Sequence, residues 1–227
     1  MIDFTPLEDR IGYVFRDRDL LQQVFIHRSY LNEHRAFPLD HNERLEFLGD
    51  AVLELVVTEH LYKTFPNPEG ELTTFRSALV KGETLATIAN DLNFSEYLMV
   101  SKGEEKSGGK NKAYLLANAL EAFIGALHLD GGYEAAEKFI HQCVLNLLEN
   151  ILANKLHIDP KSRLQEYTQE HFGQTPIYDV ISETGPDHAK EFSVVVRIGD
   201  RELGRGLGAS KQAGQVAAAA EALAGLE

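Results

Sequence analysis

Between His41 and Val57 the chain reads HNERLEFLGDAVLELVV, a helical pattern whose apolar residues Leu45, Phe47, Leu48, Ala51, Val52, Leu53 and Val56 occupy most of the circumference. Such a helix is expected inside a domain, yet it carries Glu43, Glu46 and Asp50 at i, i+3 and i+7. At about 100° per residue these three fall within roughly 60° of one another on one face. Carboxylates gathered in a largely buried helix repel one another and are costly to desolvate unless cations neutralise them. Arg44 can answer for one at most. Either metal ions or buried ion pairs with other segments must supply the rest.

A second helical run, LLANALEAFIGAL from Leu115 to Leu127, repeats the arrangement, with Asn118 and Glu121 at i, i+3 in an otherwise apolar surface. Facing helices bring the two sets together, and the repetition favours metal over ion pairs. All-oxygen ligands suit Mg²⁺ or Mn²⁺, which keep several waters and need few carboxylates.

At 227 residues and 44% apolar content the chain can build one large domain or two unequal ones. Its formal charge of −13 argues on its face against binding a polyanion, since phosphate affinity comes largely from Lys and Arg. The objection weakens if acidic residues hold metal ions and a few local groups make the contact. Met1 to Pro6 shows no basic segment leading into an apolar run, and no stretch is long enough to span a bilayer, so neither secretion nor membrane insertion is expected. Cys143 stands alone among apolar residues, which excludes an internal disulfide and suits the cytosol.

From Leu7 to Leu152 the apolar spacing predicts an all-α domain, broken at Phe37–Asp40, Phe65–Gly70 and Lys102–Lys110. The last break is read as a mobile loop, and its Gly103–Lys110 stretch misses a phosphate-binding loop by one position. Composition changes at Lys155. The boundaries expected are a helical domain over 1–154, a linker over 155–158 and a second domain over 159–227. There, Asp159-Pro160 starts a helix, strand-like runs follow at Ile177–Glu183, Glu191–Ile198 and Arg201–Gly206, and Lys211–Leu226 closes as an Ala-rich helix. That order predicts a small α-β-β-β-α domain of the α+β class. Gly204, Gly206 and Gly208 are read as a tight approach to the last helix, and His27 as a buried helix histidine that bonds a neighbour rather than a ligand.

The stretch from Asn42 to Leu53 resembles the signature motif of the ribonuclease III family nearly residue for residue. Supporting matches are His27–Tyr30, Glu71–Thr73, Lys102–Glu105 with Ser107–Gly109, and Leu120–Ala122 with Gly125, Ala126, Leu129 and Asp130. The resemblance implies the ribonuclease III endonuclease fold and a Mg²⁺-dependent endonuclease for double-stranded RNA, with Mn²⁺ as a possible substitute. Carried onto this chain, it makes Asp50 and Glu121 catalytic and Glu46, Asn118 and Glu121 metal ligands, with Glu43 in support. It further implies a homodimer, 5′-phosphate and 3′-hydroxyl ends, and substrates among ribosomal RNA precursors and structured messengers. One position departs, since most members carry Asp where this chain has Asn118. An alternative follows from it, a duplex-binding protein that keeps the fold without the chemistry.

Residues 159–227 resemble the double-stranded RNA-binding domain through Arg163–Tyr167, Gly185–Phe192 and Gly204–Lys211. Such domains read the shape of an A-form duplex. The resemblance places Gln165, Glu166 and Gln169 in one minor groove, His188 in the next, Ser210 and Lys211 on phosphate at a helix N-terminus, and Lys190 in contact with the RNA. Gln212 stands where a second Lys is common, and this segment has 7 basic and 11 acidic residues, so weak, salt-sensitive binding is expected.

Overall fold

Capping chemistry divides the start of the chain into short helices. In the computed structural model, which describes residues 2–186 and 190–226, α1 (Thr5–Ile11) stops at Gly12, held at φ 68°. Helix α2 (Arg18–Val24) begins at Asp17, whose carboxylate accepts from the Leu20 N–H at 3.0 Å. Helix α3 (Arg28–Glu33) begins at His27, whose Nδ1 lies 2.8 Å from the Ser29 hydroxyl. His27 therefore bonds a neighbour as expected, but it is half-buried and stands just outside the helix as its cap rather than buried within one.

The long helix α4 (Glu43–Thr64) is followed by α5 (Glu69–Val80), α6 (Gly82–Asp91), α7 (Phe94–Tyr97), α8 (Lys102–Lys106), α9 (Ala113–Cys143) and α10 (Leu148–Ala153). Helix α9 breaks at Gly132, whose φ of 77° only glycine adopts without cost. The core lies where α4, α6 and α9 meet, around Leu53, Val57, Leu85, Leu116, Leu120 and Phe123. Fully burying one such side chain stabilises by about 1.5–3 kcal/mol.

Two expectations change. The Lys102–Lys110 segment is not a plain loop, because the Ser101 hydroxyl caps α8 by accepting from the Glu104 N–H, and Lys112 binds Glu104 at 2.6 Å. Nor is α4 buried all round. Leu45, Val52, Leu53, Val56, Val57 and Leu61 face the core, but Phe47 is 82% exposed, Leu55 56% and Tyr62 78%. The helix is packed on one side only, and its apolar residues continue onto the other.

The chain divides into two units between His157 and Ile158. In the second, α11 (Pro160–Phe172) is capped by Asp159 and stopped by Gly173 at φ 63°. Strands β1 (Ile177–Thr184), β2 (Glu191–Ile198) and β3 (Arg201–Gly208) form an antiparallel sheet in that order, and α12 (Lys211–Leu226) closes the chain. Leu164, Val194, Val196, Ala218, Ala222 and Leu223 make its separate core. Alternate glycines let β3 touch α12, since a Cβ on Gly206 would fall onto the backbone of Gly214 and Ala218. An all-α unit followed by an α-β-β-β-α unit is the architecture the residue pattern predicted. Among the described residues no helix is long and apolar enough to cross a membrane.

Candidate active site

The site depends on how closely α4 and α9 approach. A Cβ at Gly49 would land on the Glu121 carbonyl oxygen, and one at Gly125 on the Leu45 carbonyl oxygen. Glycine at both positions brings backbone against backbone, so carboxylates from the two helices open into one space. Glu43, Glu46, Phe47, Asp50 and Glu121 line a cavity of about 460 Å³. Asn118 sits beside them, its amide donating to Glu46.

Charge in this cavity is poorly compensated. Burial, reinforced by the charges of Asp50 and Glu46, pushes the Glu121 carboxyl up to about 7. Burial also raises Glu46, as do Glu43 and Asp50, while the Asn118 amide pulls the other way. The cation at the rim is Arg28 rather than Arg44: it lies 3.4 Å from Glu43, with His41 3.7 Å away on the other carboxylate oxygen. Among the described residues no Lys, Arg or His pairs with Glu46, Asp50 or Glu121. Nor are three His, Cys, Asp or Glu side chains already drawn together closely enough to hold a metal ion. A hard divalent cation would match both the charge and the oxygen donors of these carboxylates.

Some contributors were not legible as such. Asn42 is 4% exposed, with its amide donating to the Val24 carbonyl at 2.8 Å and its backbone N–H to Ile26 at 2.9 Å, which anchors the start of α4. In the sequence it stood as the first residue of the family motif, with nothing to show which segment it anchors to. Gly49 and Gly125 were visible as glycines in helices, but their contact requires knowing which helices meet.

In the second unit Gln165, Glu166 and Gln169 stand exposed along one side of α11. Ser210 caps α12, its hydroxyl accepting from the Ala213 N–H at 3.1 Å, and Lys211 follows it, exposed. Lys190 lies 2.6 Å from Glu183, so its charge is shared with a carboxylate. His188 lies outside the described residues.

A family model described as Ribonuclease-III-like matches residues 17–148, and one described as double-stranded RNA binding motif matches residues 160–226. The chain is 46% identical over 222 residues to Ribonuclease 3 of Protochlamydia amoebophila, covering 97% of this chain and 91% of that protein. It is 46% identical over 218 residues to Ribonuclease 3 of Streptococcus thermophilus, covering 96% and 95%. Among solved structures it is similar to the nuclease domain of ribonuclease III from Campylobacter jejuni, with a TM-score of 0.59 and 41% identity over 63% of this chain and 97% of that one. That structure is described in terms of flexibility in a region involved in dimer formation.

Proposed function

This chain belongs to the ribonuclease III family, and from that membership we propose that it is an endoribonuclease that hydrolyses double-stranded RNA with Mg²⁺, or Mn²⁺ in its place, leaving 5′-phosphate and 3′-hydroxyl ends. The observation that carries the reading is the uncompensated set of Glu46, Asp50 and Glu121 in one cavity, with Glu121 pushed up to about 7.

In this reading Glu46, Asn118 and Glu121 would hold the cation through side-chain oxygens. When bound, the ion lowers the pKa of a water and offsets charge on the phosphoryl oxygens. Asp50, exposed at the mouth of the cavity, orients the attacking water toward the phosphorus. Glu121 would release its proton to solvent water on becoming a ligand. Glu43, tied outward to Arg28, supports the rim. Gln165, Glu166, Gln169, Ser210 and Lys211, with Lys190 and His188, present the second domain to the duplex.

The exposed stripe of α4 supports a homodimer. Phe47, Ala51, Leu55 and Tyr62 fall within roughly 80° of one another, and a neighbouring cavity of about 620 Å³ is lined by Leu61, Phe65, Leu72 and Arg76. A second copy related by a two-fold axis would cover this face with itself and put one carboxylate cluster against each strand of a duplex. Stems of ribosomal RNA precursors and structured messengers in the cytoplasm are the substrates proposed.

The test is incubation of a labelled RNA duplex, the matching single strand and a DNA duplex with Mg²⁺ or with chelator. Cutting of the RNA duplex alone, only with the cation and with ends a 5′-phosphate-requiring ligase accepts, is expected. Cutting that survives chelation, or that ignores strandedness, overturns the proposal.

A further inference from the structure

We propose that His60 and His141 form a binding site for one zinc-class transition-metal ion, separate from the carboxylate cluster. His60 lies on α4, fourteen residues beyond Glu46, which is about 20 Å along the helix axis. His141 lies on α9 beyond the break at Gly132. Their ring centroids are 5.1 Å apart and the rings nearly perpendicular, at 84°. With a metal–nitrogen distance of about 2.0 Å and a ring radius of ~1.2 Å, two imidazoles on one tetrahedral ion have centroids ~5 Å apart. The observed spacing matches that of two imidazoles on a shared ion, as well as that of an edge-to-face ring pair.

The surroundings fit the same chemistry. Both rings line an open cavity of about 510 Å³ together with Thr64, Asn146 and Glu149, and since Glu149 does not complete a three-residue cluster with them, water from the open side would fill the remaining positions. Among the described residues neither ring is engaged in a hydrogen bond or ion pair. Burial and the neighbouring His141 hold the His60 imidazole below its ordinary value. Imidazole pairs suit Zn²⁺, Cu²⁺ or Ni²⁺, whereas Mg²⁺ prefers oxygen, so the two sites select different ions. Cys143 is no ligand here, because it is two positions from His141 on the helix and packs against the core. An ion at this site ties α4 to the last part of α9.

The experiment titrates Zn²⁺ into the full chain in saturating Mg²⁺, by calorimetry, for the natural chain, His60→Gln, His141→Ala and Glu121→Gln. Co²⁺ is added in parallel as a spectroscopic probe of tetrahedral ligation. His141 is exposed, so its truncation leaves folding intact, as a thermal melt without Zn²⁺ verifies. One Zn²⁺ per chain is expected, bound about tenfold or more weakly in either histidine variant and unchanged in Glu121→Gln. Absence of Zn²⁺ binding, binding unaffected in His141→Ala, or binding lost in Glu121→Gln overturns the proposal.

Discussion

Glu121 links the site to the stability of the domain. Its carboxyl is pushed up to about 7 in the fold from an ordinary value of 4.5, because burial and the charges of Asp50 and Glu46 disfavour the ionised form. The folded state therefore keeps a proton that the unfolded chain gives up. The stability this contributes is complete below about 4.5 and lost as pH rises through about 7. Metal-free protein is expected to melt at lower temperature as pH rises over this range, less steeply in Glu121→Gln. Mg²⁺ is expected to raise the melting temperature more at about pH 8 than at about pH 5.5, since it competes with the proton. An equal Mg²⁺ effect at both contradicts the assignment. Asn118→Asp adds a charge where an amide now donates to Glu46, so calorimetry should find its metal-free form less stable near neutral pH and more strongly stabilised by Mg²⁺. The carboxylate spacing that led to this site was legible because helical periodicity alone puts Glu43, Glu46 and Asp50 on one face. Asn42 was not, because its partners, the Val24 and Ile26 carbonyls, belong to another part of the chain.

The pairing of α4 with α9 rests on two glycines whose replacement has no room to relax. Gly49→Ala or Gly125→Ala sets a methyl against a helix backbone, and a cost of about 3 kcal/mol or more is expected in urea unfolding, at the upper end of overpacking. Gly70 is the control: it lies in α5 with nothing near its missing Cβ, and Gly70→Ala should be neutral or stabilise by up to about 1 kcal/mol. Comparable losses at all three would show that helix approach is not what these glycines serve. Periodicity located both long helices but misjudged the surroundings of α4, because an apolar residue at an interface is indistinguishable in sequence from one in the core. It also missed α8, where Gly103 inside a short helix and Gly108 and Gly109 just beyond it read as loop and the Ser101 cap and the Lys112–Glu104 pair decide otherwise.

At the level of the whole molecule, the order of an all-α unit and an α-β-β-β-α unit was readable from turn residues and from the change of period near Lys155. The apolar outer face of α4 became visible only in the fold. Leu55→Glu places a charge in that face without touching the core, and sedimentation should find the natural chain dimeric and this variant monomeric with its melting temperature little changed. A natural chain that sediments as a monomer at micromolar concentration contradicts the dimer. The central claim, that the carboxylates of α4 and α9 carry out metal-dependent cleavage of duplex RNA, is tested most directly by one comparison. A labelled RNA hairpin is offered with Mg²⁺ and with Mn²⁺ to the natural chain, Glu121→Gln and Asn118→Asp, with hairpin binding measured alongside. Cleavage by the natural chain, slowed about a hundredfold or more in Glu121→Gln while binding persists, and altered mainly in its metal dependence in Asn118→Asp, is the expected result. A natural chain that binds the hairpin but cuts it with neither metal, and that regains cutting in Asn118→Asp, would contradict the claim and make this a duplex-binding protein on a nuclease fold.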